Sequence, residues 1–257
     1  MLRRLLAEAP APELADAIRR RSPTHIQIVA RGTSGHAALH AKYLSETLLG
    51  IPVVIVTPSV VTVLGGSPWR GDDVVIAVSQ SGASPDLVAC VESARSAGAL
   101  TIAFVNAPGS ALGSAAQVEV QLDAGPELAV AATKSYTASV LALTRLVVAL
   151  APTAPAWDWA SIPSAVERLV TDSAWLPSAL AALDGATSAV VLGRAYGYAT
   201  AREAALKIME TCAVPTLAYS SAEFRHGPLA AVGRGTAVLA TGGIDPALLD
   251  ACRAAGA

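Results

Sequence analysis

Val74-Val75-Ile76-Ala77-Val78-Ser79-Gln80-Ser81-Gly82-Ala83-Ser84-Pro85-Asp86 is the stretch on which the fold turns. Its five leading residues are apolar and mostly β-branched, as in a parallel strand covered on both faces. Ser84 then stands where an N-cap belongs, Pro85 at the first helical position and Asp86 in the first turn, so a helix starts here. The hydroxyls and backbone N–H groups between strand and helix face the positive end of that helix, which suits an anion and above all a phosphate. The plainer alternative is that Ser79, Ser81 and Ser84 only cap and turn, although capping needs one hydroxyl rather than three.

On either side of this stretch the same alternation recurs. Residues 11–21 predict a short helix with Leu14 and Ile18 facing inward, and Ile26–Ala30 a strand. Arg31-Gly32-Thr33-Ser34-Gly35 reads as a small-residue turn, followed by a helix over His36–Leu49 that Gly50 ends. Val53–Val56, Leu100–Val105 and Val118–Leu122 read as further strands, with helices over Asp86–Ala97 and Ala132–Leu150. Strands alternating with helices predict an α/β fold: a three-layer, doubly wound, parallel five-stranded sheet. Ligands in such folds bind beyond the carboxyl ends of the strands, where both hydroxyl-rich turns lie.

Pro152, Pro155 and the pair Trp157 and Trp159 mark a boundary, and Ser164–Leu183 predicts a connecting helical segment. The pattern then restarts with a strand over Ala189–Leu192, a turn over Gly193–Gly197 and a helix over Ala199–Cys212. Arg31 and Arg194 are 194 − 31 = 163 residues apart, as are Pro52 and Pro215, and the same offset carries Val74–Val78 onto Ala237–Thr241. This is an internal repeat. The expected division is an N-terminal helical segment (1–22), a first α/β domain (23–155), a linker helix (156–184) and a second copy (185–257) that stops after its third strand. Half a parallel sheet exposes an edge and an apolar face, so either the chain is a fragment or a partner is expected to cover that face.

The chain has 257 residues, 53% of them hydrophobic and 15% charged, with a net charge of −2. No basic excess exists to hold a nucleic-acid backbone or an anionic membrane, so a small ligand is expected. Cys90, Cys212 and Cys252 are isolated, and with the four histidines they never reach a metal-ligand spacing. Neither a metal nor a cofactor is expected, and no membrane span. The cysteine usage suits a reducing cytoplasm.

Two groups could carry chemistry. Glu203, Lys207 and Glu210 stand at i, i+4 and i+7 on one helical face. They form either a solvent-side ion pair or, given the apolar Ala204, Ala205, Leu206 and Ile208, a partly desolvated carboxylate suited to proton transfer. In Glu223-Phe224-Arg225-His226-Gly227-Pro228 the histidine sits in a loop of fixed backbone, as a structural residue or a chemical one. His25, His36 and His40 have no comparable company.

Taken together these motifs resemble the tandem sugar isomerase (SIS) domains of the glucosamine-6-phosphate synthase isomerase half. The resemblance rests on Arg31–Ser34, Ser79–Gly82, Ala124–Glu127 with Val130–Lys134, Glu203–Lys207 through Glu210, and Glu223–Pro228. It implies a phosphate cradle of Ser79, Gln80, Ser81 and Ser84, with Gly32, Thr33, Ser34, Val130 and Ala132 lining the same pocket. It further implies Glu210 as the base moving a proton between C1 and C2, His226 as the ring-opening residue that reaches a neighbouring subunit's site, and Lys207 beside that glutamate. The implied partners are a sugar phosphate and a second copy of the chain, in a homodimer with sites between subunits. The Ala-Gly-Pro-Glu and Ala-Ala-Thr-Lys-Ser-Tyr segments are similar to those of glutaminase-free relatives. Those relatives act as aminosugar-phosphate deaminases or isomerases. This implies for the chain the conversion of an amino-hexose 6-phosphate, glucosamine 6-phosphate to fructose 6-phosphate and ammonia, or a closely related step. The alternatives are the isomerase part of a glutamine-dependent aminotransferase and a non-catalytic sugar-phosphate-binding module. The chain has no glutaminase-sized region and is expected to stop before the family's C-terminal lysine.

Overall fold

The structure, a computed structural model, describes residues 1–7, 12–151, 153 and 156–257. The boundary expected at Pro152 and Pro155 lies outside the described residues. The chain divides into two compact units, Met1–Ala160 and Ser161–Ala257.

In the first unit, α1 (Leu2–Ala7) and α2 (Pro12–Arg21) precede β1 (Ile26–Val29), α3 (Gly32–Leu48) and β2 (Val53–Ile55). There follow α4 (Ser59–Thr62), β3 (Val74–Ser79), α5 (Pro85–Ser96), β4 (Leu100–Val105), α6 (Ala111–Ala115), β5 (Val118–Gln121) and α7 (Lys134–Leu150). All neighbouring strands pair in parallel, in the order β2-β1-β3-β4-β5. The sheet grows outward in both directions from β1 and β3, so right-handed crossovers put α3 and α5 on opposite faces. Every residue of β1, β3 and β4 is buried, which is why these strands read as uninterrupted apolar runs. One layer of the core joins Val29, Val75, Ala77, Ala103 and Val105 to Leu87, Val91 and Ala94 of α5.

In the second unit, α8 (Ile162–Thr171) and α9 (Leu176–Leu183) lead into β6 (Ser188–Gly193) and α10 (Tyr196–Cys212). Then come β7 (Thr216–Ser220), α11 (Ser221–Phe224), β8 (Thr236–Thr241) and α12 (Pro246–Ala254). The parallel order is β7-β6-β8. Ile26 pairs with Val53 and Val74 in the first sheet, and Ala189 pairs with Thr216 and Ala237 in the second. Each partner is displaced by the same 163 residues, so the repeat extends to the hydrogen-bond register.

Two expectations need correction. Gly32, Thr33 and Ser34 form the first turn of α3 rather than a separate turn, with Arg31 as the N-cap. The helical stretch expected over Ser164–Leu183 is broken into α8 and α9 by Asp172–Trp175, where Asp172 leaves helical geometry and its side chain accepts from Ala174 N–H. The second sheet has three strands, and α12 follows the third, capped by the Asp245 side chain on Ala247 N–H at 3.0 Å. The short helices α4 and α6 had no forecast in the sequence.

Candidate functional site

A sheet of order 2-1-3-4-5 reverses its winding between β1 and β3, and the crevice beyond those carboxyl ends is where ligands of open α/β sheets bind. The residues expected to hold an anion converge there. Arg31, Gly32, Thr33 and Ser34 follow β1, and Ser79–Ser84 follow β3. Ser79 is buried and its Oγ accepts from Gly82 N–H at 3.0 Å, which folds the turn back on itself. Gln80 is half-buried and Ser81 exposed. Ser84 takes the N-cap position of α5, but its hydroxyl does not cap; it accepts from Arg31 Nη2 at 2.6 Å. Arg31 Nη1 also reaches Asp86 at 2.9 Å.

Val130 and Ala132 belong to the irregular stretch between β5 and α7, where Val130 is 93% exposed. The two ends of that stretch are anchored. Asn106 accepts from Ala124 N–H at 2.8 Å and donates to the Gly125 carbonyl at 2.9 Å, while its own N–H bonds the Gln80 carbonyl at 3.3 Å. A single residue thus ties the β5 loop, through its side chain, to the β3 turn, through its backbone. At the other end Glu127 accepts from the Ser135 N–H and hydroxyl, both at 2.8 Å, capping α7. Burial pulls the Glu127 carboxyl upward, but the bonds from Ser135 and Thr133, with the charge of Lys134, outweigh it and hold the group below its ordinary value. Asn106 was not singled out from the sequence, where a lone asparagine after a strand reads as a turn residue.

The second unit places Glu203, Lys207 and Glu210 on one face of α10. Lys207 Nζ lies 2.6 Å from Glu210 and 3.5 Å from Glu203. The solvent-side ion pair weighed for Glu203 is not what forms, since Glu203 is only 6% exposed. The more open carboxylate is Glu210. His226 is exposed in a turn closed by its N–H on the Glu223 carbonyl at 2.9 Å, and Phe224 beside it anchors the turn in the core. Arg225 pairs with Asp245 beyond the carboxyl end of β8, so His226 is on the carboxyl side of the second sheet. Because α10 runs back against its strands, Glu210, fourteen residues beyond Tyr196, is about 20 Å along the helix from that side. Glu210 and His226 of one chain are therefore at opposite ends of their own sheet.

The second sheet has no copy of the hydroxyl turn. A Cβ on Gly197 would sit 2.7 Å from the Thr241 carbonyl, and Thr241 Oγ1 donates to the Gly197 carbonyl at 2.9 Å. The start of α10 therefore backs directly onto the end of β8. Among the described residues no cluster of His, Cys, Asp and Glu could hold a metal ion, and no helix is long and apolar enough to cross a membrane.

Comparison with known proteins agrees with this architecture. The glutamine–fructose-6-phosphate aminotransferase (isomerizing) of Methanothermobacter thermautotrophicus is 35% identical over 215 residues, covering 84% of this chain and 36% of that protein. The enzyme of the same name from Aeropyrum pernix is 37% identical over 227 residues, covering 81% and 35%. The chain thus spans about a third of the length of the curated relatives it matches. A solved protein of Silicibacter pomeroyi DSS-3, assigned as a phosphosugar isomerase, superposes with a TM-score of 0.82 at 35% identity, over 97% of this chain and 77% of that one. The C-terminal domain of glucosamine-fructose-6-phosphate aminotransferase from Francisella tularensis gives 0.79 at 25% identity, over 96% and 73%. The profile described as "SIS domain" matches residues 20–149 and 182–254. Those two segments contain the two sheets whole, and the chain belongs to the SIS domain family.

Proposed function

We propose that this chain is the catalytic SIS portion of an enzyme that interconverts aldose and ketose forms of an amino-hexose 6-phosphate, releasing ammonia from glucosamine 6-phosphate to give fructose 6-phosphate. The observation that carries the proposal is the turn Ser79–Ser84 with Arg31 at the winding reversal of the first sheet: hydroxyls, backbone N–H groups and one guanidinium around the start of a helix. Ser79, Gln80, Ser81 and Ser84 hold the phosphate, and Gly32, Thr33, Ser34, Val130 and Ala132 line the sugar side. Glu210 moves the proton between C1 and C2, Lys207 holds that carboxylate from 2.6 Å, and His226 opens the ring. The aldose–ketose shift moves a proton from C2 to C1 and leaves an imine at C2, which water hydrolyses to the ketone and ammonia. An acid, a base and a phosphate anchor suffice to promote these steps. The names of the Methanothermobacter and Silicibacter relatives support phosphorylated sugars as the substrate class. A cytoplasmic homodimer completes the reading.

The test is ammonia and fructose 6-phosphate release from glucosamine 6-phosphate by the intact protein, compared with its Glu210→Gln variant. A positioned proton-transfer group contributes about 10²–10⁴ in rate, so kcat should fall by that factor with KM little changed. Undiminished turnover removes Glu210 as the base. Binding without turnover by the unaltered protein makes this a sugar-phosphate-binding module instead.

A further inference from the structure

The phosphate cradle described above consists of uncharged groups, whereas a phosphomonoester carries about −1.5 to −2 charges at neutral pH. Arg31 is the cation that touches the cradle. Its guanidinium leaves the end of β1, crosses the winding reversal and meets both the N-cap and the first turn of α5: Nη2 on Ser84 Oγ at 2.6 Å and Nη1 on Asp86 at 2.9 Å. The side chain is about half exposed, so the fork opens to the crevice rather than into the core. Asp86 is an unfavourable neighbour for an arriving phosphate unless its charge is matched.

We propose that Arg31 is the charged phosphate-binding residue of this site, with Asp86 as the counter-ion that holds its guanidinium in place when the crevice is empty. The inference rests on the reading of Ser79–Ser84 as a phosphate cradle. A guanidinium has five N–H donors in a planar fork, and the contacts to Ser84 and Asp86 leave donors for phosphoryl oxygens. Because Arg31 donates to Ser84 Oγ, the Ser84 hydroxyl proton is also free to turn toward the ligand. Phosphate and Asp86 then compete for one cation, and binding depends on the balance between them.

The competing explanation is that Arg31 is only a tether for Ser84, and the two differ in sign at Asp86. The probes are fructose 6-phosphate and inorganic phosphate, with unphosphorylated fructose as the control, titrated by calorimetry against the intact protein. Arg31→Ala should weaken both phosphorylated probes about ten- to a hundredfold, the loss expected of a charge-assisted hydrogen bond. Arg31→Lys should recover part of that loss. Asp86→Asn should tighten both probes severalfold, because the guanidinium loses its competitor. A tether predicts the reverse: Arg31→Lys as poor as Arg31→Ala, and Asp86→Asn weaker than the unaltered protein. That pattern overturns the proposal, and the sign of the Asp86→Asn change against the unaltered protein decides it even if Arg31→Ala does not fold. Ser79→Ala separates the layers of the argument. If it weakens binding while the Arg31 variants do not, Arg31 alone is misassigned. If the unaltered protein binds neither phosphorylated probe, or Ser79→Ala changes nothing, the cradle itself is wrong and Arg31's role falls with it.

Discussion

Gly82 shows how much of the site depends on a single missing Cβ. Its φ is +60°, and a Cβ built there would lie 2.2 Å from Ser110 Oγ and 2.4 Å from Ser110 Cβ. The Ser110 hydroxyl accepts from Gly113 N–H at 3.2 Å and so caps α6, while the Gly82 carbonyl accepts from Leu112 N–H at 2.9 Å. An alanine at this position meets both the left-handed backbone penalty and a collision with that cap. Gly82→Ala should therefore lower stability by about 2–4 kcal/mol, read as a shift of the urea midpoint. Ser110→Gly should cost only about 0.3 kcal/mol by itself. Combining the two relieves the collision and leaves the backbone penalty, so the double variant should be more stable than the sum of single losses predicts. Strict additivity would show that the contact costs nothing.

The elements differ in how plainly the sequence announces them. The strand at Val74 and the helix at Pro85 are legible because burial on both faces selects an apolar run and because cap, proline and acid follow in order. The site is legible only where local signals suffice. Ser79–Ser84 is found from adjacent residues, while the Arg31–Asp86 pair joins positions 55 apart and needs the strand order, which no local pattern contains. The burial of Glu203 was equally hidden: spacing puts it on a face with Lys207 and Glu210 but does not say which part of that face is covered. Helix α3 carries a consequence for pH. Burial holds the His40 imidazole below its ordinary value of 6.5, so the unfolded chain takes that proton first. Stability should then fall as pH drops below about 6.5. Glu46, lowered chiefly by its hydrogen bond from Lys42 with help from Val53 N–H, and Glu127, whose hydrogen bonds outweigh its burial, are both depressed from 4.5. Their contribution is complete above that value and is lost as pH falls through their native pKa values, which adds a second decline in the same direction. Thermal melts between pH 7.5 and 5.5 should show a falling Tm, and His40→Gln should flatten that part of the curve. An unchanged slope would assign the decline to other groups.

Over the whole molecule, the repeat has duplicated the scaffold and divided the chemistry. Both sheets keep one register at an offset of 163, yet the hydroxyl turn is present only in the first, where Gly82 makes room for it, while Gly242-Gly243-Ile244 follows the corresponding strand in the second. The second unit carries Glu210 and His226, the groups proposed above for acid–base work, at opposite ends of its own sheet. About 20 Å of α10 lies between Glu210 and the side of the sheet that carries His226. Ring opening by His226 and proton transfer by Glu210, the roles proposed above, need both groups within hydrogen-bond reach of one substrate, so this unit of one chain does not supply both to one site. If both roles proposed above hold, His226 is expected to serve the substrate of a second copy of the chain. Co-expressing Glu210→Gln and His226→Ala chains with different affinity tags tests that arrangement. Each homodimer should be nearly inactive, whereas the purified mixed dimer places one intact Glu210 and one intact His226 in the same site. It should regain up to about half the unaltered rate, because one of its two sites is whole and the other lacks both groups. A mixed dimer as inactive as its parents would mean that each site draws both residues from a single chain, and the division of labour argued from α10 would be wrong.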